Sequence, residues 1–258
     1  MVLYFSGTGN SYYIAKKIAE LLGDQLVSIA DLVRSRKYAI HVEKEETIGF
    51  VYPVHACAPP DLVTNFIKEL TIENYNQNYM YSVYNCAGTP EYTSRIMKET
   101  CEKRGYELSG FYEVLMPGNY VTVKKHLPEE KARKYLQEAD GRITTIVEEV
   151  RKRSKNYKKE KHSYLLSYVL HKLAVLEKDT KFTVGDGCVA CGKCAAICPM
   201  KAISMESGKP VRDVKQCAFC LGCINVCPTQ ALQAGKKTIG NQRYVHSEYM
   251  EHLRWNHD

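Results

Sequence analysis

The feature that most constrains this chain is a pair of matching cysteine runs, CVACGKCAAICPMKAI beginning at Cys188 and CAFCLGCINVCPTQAL beginning at Cys217, offset by 29 residues. Each reads CxxCxxCxxxCP. Neither half is large enough to bury a core alone, so the twins must fold as one unit held by what their thiols ligate. Three closely spaced thiolates wrap three corners of one [4Fe–4S] cubane, and the fourth cysteine of each run ligates the other cluster. One cubane is thereby assigned to Cys188, Cys191, Cys194 and Cys227, and the other to Cys217, Cys220, Cys223 and Cys198. Four cysteines also suit zinc. Zinc ribbons, however, present separated CxxC pairs rather than three successive cysteines and a CP repeated twice.

The chain holds eleven cysteines and opens on MVLYFSGTGN, a strand-like run without a basic leader, so metal or redox use in a reducing compartment is expected rather than a disulfide framework. A cytoplasmic location follows as the expectation. No run of about 18 apolar residues suggests a membrane span. The net charge of +7 is concentrated in RKRSKNYKKEK, residues 151–161, and no nucleic-acid recognition motif accompanies it, so it reads as a solvated linker. Leu165, Leu166, Val169, Leu173 and Leu176 then recur at helical spacing, which predicts a connector helix over 163–176 that packs its apolar stripe on a neighbouring domain. These features divide the chain into residues 1–153, a linker and helix at 154–180, the cysteine domain at 181–240 and a tail at 241–258.

Residues 1–153 alternate short β-rich runs with helical segments, the pattern of a parallel sheet wrapped by helices in an α/β domain. Strands are predicted at 2–5, 25–29, 47–52, 79–85 and 108–116, and helices at 11–22, 61–70, 93–104 and 129–153. The first strand runs directly into Ser6, Gly7, Thr8, Gly9, Asn10 and Ser11. Glycines permit a tight turn, hydroxyls can donate to phosphate oxygens, and the helix start adds oriented N–H groups. This is a monophosphate cradle. A dinucleotide fingerprint needs a third glycine where Tyr12 stands, and a P-loop needs GK followed by Ser or Thr. Ligands of doubly wound sheets sit beyond the carboxyl ends of the strands at the switch point. The loops YPVHACAPP from Tyr52 and NCAGTPEY from Asn85 should therefore complete the site.

The N-terminal part resembles flavodoxins, the cysteine domain resembles two-cluster bacterial ferredoxins, and the whole chain resembles the flavodoxin–ferredoxin fusion proteins. The resemblance implies a five-stranded sheet in the order 2-1-3-4-5 followed by a smaller α+β two-cluster ferredoxin-like domain. It implies FMN, with residues 6–11 on phosphate. Tyr52, Pro53, Val54, His55 and Ala56, with Asn85, Cys86, Ala87, Gly88 and Tyr92, would lie around the isoalloxazine, and Asn119 and Tyr120 of PGNY would face the cofactor. The second loop lacks the tryptophan that often stacks on the flavin in flavodoxins. His55 is readable as a proton donor to reduced flavin, but a loop histidine is more often simply packed. Cys57, Cys86 and Cys101 lack ligand spacing and read as small apolar fillers.

The coexistence of both sites predicts an electron-transfer protein that relays electrons between FMN and two [4Fe–4S] clusters, coupling one- and two-electron steps. An FMN-dependent oxidoreductase fed through the clusters is the alternative, and a flavin-free docking scaffold a third. The expected partners are redox proteins or a small-molecule donor or acceptor, with no nucleic acid.

Overall fold

The computed structural model describes residues 1–88, 92–122, 128–157 and 180–255. The connector helix expected over 163–176 lies outside the described residues.

Short apolar runs pair into a five-stranded parallel sheet. In chain order the strands are β1 (Val2–Tyr4), β2 (Leu26–Ser28), β3 (Ala39–His41), β4 (Ile48–Pro53), β5 (Thr71–Glu73), β6 (Met80–Cys86) and β7 (Leu108–Leu115). The main sheet runs β2-β1-β4-β6-β7, and β3 and β5 form a separate parallel pair. Omitting that pair gives the expected order 2-1-3-4-5. The predicted strand 25–29 is shorter, because Ser28 caps a brief helix α2 (Ile29–Arg34) by accepting from the amide of Asp31 at 3.2 Å.

Alternation along the strands sorts side chains onto two faces. Leu3, Phe5, Phe50 and Tyr52 enter one core beneath α3 (Asp61–Glu69) and α4 (Thr93–Glu102), whereas Val2, Val51, Val83 and Tyr112 enter the other. That second core is covered by Ile14 and Ile18 of α1 (Asn10–Leu22) and by Ile143, Ile146 and Val147 of α5 (Glu129–Arg151), whose apolar residues recur at helical spacing. Strand β4 is buried along its whole length, as a central parallel strand covered on both faces should be. The edge strand β7 is guarded by Asn156, whose side chain accepts from the Phe111 amide at 2.7 Å and donates to its carbonyl at 3.1 Å, mimicking a further strand.

The cysteine domain is built from two antiparallel pairs. Strand β8 (Phe182–Val184) pairs with β11 (Leu232–Ala234), and β9 (Ile203–Glu206) pairs with β10 (Lys209–Arg212). Two short helices, α6 (Lys193–Ala196) and α7 (Gly222–Val226), lie inside the cysteine runs, one in each. Chain termini are often frayed, but the tail here forms α8 (Ser247–Trp255) and joins both domains. Tyr249 packs in one cluster with Tyr12 and Val121 of the first domain and Phe219 and Ile224 of the second.

Candidate redox site

Cys188, Cys191, Cys194 and Cys227 line a single cavity, although Cys227 is distant in sequence from the other three. Thiols arranged around a volume suit a cubane, whose irons are spread over its corners. Behind the burial of its thiol, Cys220, Cys217 and Cys198 raise the pKa of Cys223, followed by Cys194 of the other set. Burial likewise pushes the Cys220 thiol up to about 12. Ligation requires thiolates, so cluster assembly at this buried set must release protons.

The loop after β1 is shaped as an anion cradle. Gly9 takes the left-handed conformation with φ 100° and starts α1 with no side-chain cap, leaving the first-turn amides for a ligand. The Ser6 hydroxyl accepts from the Gly9 amide at 3.0 Å, and the Thr8 hydroxyl accepts from Asn119 Nδ2, so each still has a hydrogen to give. Ser11 instead donates its hydrogen to Asn85 Oδ1 at 2.5 Å, and Asn10 Nδ2 donates to the Pro117 carbonyl at 2.9 Å. This donor set fits a flavin phosphate: Ser6, Thr8 and the opening turn of α1 would hold it, while Asn10, Ser11 and Asn85 brace the loop. Thr8→Val is expected to weaken FMN binding by about 1.5–3 kcal/mol, the contribution of a hydrogen bond to a charged group. Flavin titration of the variant, with iron counted in parallel, checks this; the iron content should stay unchanged.

Three loops frame a rim beside the cradle. Val54, His55 and Ala56 are half-buried, as are Cys86 and Ala87, while Gly88 and Tyr120 are exposed and Asn119 is half-buried. Residues 89–91 of the second loop lie outside the described residues. Ala56 and Cys57 adopt left-handed backbone within a tight turn closed by reciprocal bonds between His55 and Ala58, and the His55 ring sits edge-on to Phe5 at 6.4 Å. Tyr52 and Pro53 close strand β4 with buried side chains, and Tyr92 is buried at the start of α4, so the fold does not bring these three to the rim. Cys86 donates to the Gly88 carbonyl at 2.9 Å, and burial with Glu113 nearby pushes its thiol up to about 12. It is no ready thiolate. Cys101 is wholly buried in the core.

The second domain is seated directly on the cradle. A β-carbon on Gly7 would lie 2.6 Å from Cys220 Cβ and 2.9 Å from its sulfur, and one on Gly222 would strike the Gly7 carbonyl oxygen. Glycine at both positions lets the two backbones touch. Asn225, from the second cysteine run, donates to the Asn119 carbonyl at 3.0 Å and accepts from the Tyr244 amide at 3.0 Å. The tail completes the seal. The His246 amide donates to the Thr8 carbonyl at 2.8 Å, Tyr244 donates to Asn10 Oδ1 at 2.9 Å, and Lys16 pairs with Glu248 at 3.1 Å. Asn225, Tyr244 and His246 carry no spacing signal, and nothing in the sequence marks them as interface residues.

Residues 1–122 match the family model of a flavodoxin domain, and residues 187–232 that of a 4Fe-4S dicluster domain. The ferredoxin of Methanothermococcus thermolithotrophicus is 37% identical over 43 residues, covering 16% of this chain and 72% of that protein. NADH-quinone oxidoreductase subunit I 2 of Geobacter metallireducens is 32% identical over 85 residues, covering 29% of this chain and 60% of the subunit. The structure of two-electron reduced Megasphaera elsdenii flavodoxin covers 54% of this chain and 96% of its own at 18% identity, with a TM-score of 0.28. The chain spans 21%, 60% and 45% of the length of three of the curated relatives that it matches. The chain thus joins, in one polypeptide, a flavodoxin domain that implies FMN and a ferredoxin-type 4Fe-4S dicluster domain that implies two [4Fe–4S] clusters.

Proposed function

We propose that this protein relays electrons between FMN on the first domain and an external redox partner, with the two cubanes in series between them. FMN exchanges one or two electrons and each cubane exchanges one, so the pairing converts between the two modes. The observation that carries this reading is the contact of Cys220 with Gly7, which brings an assigned cluster ligand against the loop assigned to the flavin phosphate. Cys198, Cys217 and Cys220 also pack against the first-domain core, which supports reading theirs as the inner cluster. Cys191 is exposed and its neighbour Val189 is 63% exposed, so the other cubane faces outward. The partner is a redox protein or small carrier that meets this outer face.

Among the described residues no helix is long and apolar enough to cross a membrane. None of the eleven cysteines forms a disulfide, which supports a reducing, cytoplasmic setting. The test is to reduce the protein anaerobically, mix it with an oxidant, and follow flavin and cluster absorbance separately. The two reservoirs should drain in a coupled fashion. Reservoirs that never exchange electrons would end the relay reading.

A further inference from the structure

Arg243 lies beyond the matched dicluster segment, between β11 and α8, and half of it is buried. One of its nitrogens is fully engaged: Nη2 donates to Gln233 Oε1 at 2.9 Å and to the Thr238 carbonyl at 3.1 Å. The anchor is itself fixed. Thr238 is wholly buried, donates to the same Gln233 oxygen at 2.6 Å and accepts from the Ala234 amide at 3.0 Å. The two remaining nitrogens, Nε and Nη1, are shut off from solvent and have no hydrogen-bond partner among the described residues.

Buried donors of a charged group are costly to leave unmet, and a guanidinium cannot shed its proton to escape the cost. Burial disfavours the cation here, and the thiols of Cys227 and Cys223 are the groups whose charge favours it. Those two cysteines are assigned to different cubanes, Cys227 to the outer and Cys223 to the inner.

We propose that Arg243 is a positioning residue for both clusters, a fixed cation pinned through Nη2 whose free N–H groups serve sulfur at the junction of the two cubanes. The proposal rests on the assignment of the eight cysteines to two cubanes. Hydrogen bonds to cluster sulfurs and nearby charge are the levers by which a protein sets cluster potentials. Each cubane becomes more negative on gaining an electron, so a fixed positive charge beside it favours the reduced form. Because one guanidinium serves both, its removal should move the two potentials together.

The experiment uses the full cluster-loaded chain with Arg243→Gln and Arg243→Lys. Potentiometric titration with soluble mediators, followed by electron paramagnetic resonance of the reduced clusters, reads both couples without relying on the flavin. In Arg243→Gln the reduced-to-oxidised ratio of both clusters at a fixed ambient potential should fall about tenfold, which is 59 mV for a one-electron couple. Iron, sulfide and flavin contents should be unchanged. Arg243→Lys, which keeps the charge and loses the fork, should fall between. Should Arg243→Gln lose iron or fail to fold, the native chain grown on isotopically labelled arginine supplies the second measurement. An arginine nitrogen should then show hyperfine coupling to a reduced cluster, and Arg243→Lys should abolish it. Full cubanes with unmoved potentials, or without arginine coupling, overturn this proposal and leave the relay standing. A chain that assembles no cubanes overturns both, and a failed relay alone leaves the potentials test intact.

Discussion

Gly222→Ala is expected to unseat the second domain from the phosphate loop and slow electron exchange between flavin and clusters. The added methyl group would fall on the Gly7 carbonyl oxygen, a backbone atom that cannot swing aside. Overpacking of this kind costs about 1–3 kcal/mol, which corresponds to roughly a 5- to 150-fold rise in the undocked population. No assigned ligand is removed, so flavin, iron and sulfide should all be retained. Rapid-mixing absorbance measures the exchange, and limited proteolysis of the tail reports the undocking. Gly7→Ala strikes the same contact from the other side, meeting Cys220 Cβ at 2.6 Å. The two substitutions remove one shared contact, so their effects should combine non-additively. Exchange at the native rate in a demonstrably undocked variant would show that electrons take another route.

Cys191→Ser should cost about half of the iron and sulfide, because the assignment places this residue on one cubane of two. The loss should spread into the ferredoxin fold, since each half depends on both clusters for stability that its small core does not supply. Flavin content should survive, because the first domain has cores of its own on both faces of its sheet. Cys101→Ser provides the contrast. Its thiol is wholly buried in the first domain, so this change should lower that domain's stability and leave iron untouched. Iron and sulfide analysis with thermal unfolding separates the two cases, and full iron in Cys191→Ser would show the ligand assignment to be mistaken.

Much of the fold was legible because it is written in local pattern. The five strands of the sheet and the helices at 11–22, 61–70, 93–104 and 129–153 recur in the structure with shifts of a few residues, and the strand order follows the resemblance. The β3–β5 pair escaped because each strand has one buried residue, Ile40 or Ile72, between exposed ones, whereas the equally short β1 lies in an apolar run. The resemblance sets Tyr52 around the isoalloxazine, whereas its side chain lies buried in the first-domain core. Its burial depends on which face of the pleat that residue occupies, and strand register decides this.

Ligand type and spacing were set by the sequence itself, since the repeated CxxCxxCxxxCP supplies thiolates that suit two cubanes and SGTGNS supplies the glycines and hydroxyls that suit a strand-to-helix turn around an anion. Tertiary structure alone decided that these two sites touch. Gly7 meets Cys220, Thr8 meets His246, and Arg243 lies within electrostatic reach of Cys223 and Cys227. Contacts between residues so far apart along the chain leave no periodic or local trace, because they depend on the shapes of two finished surfaces and not on the conformational preferences of any one segment.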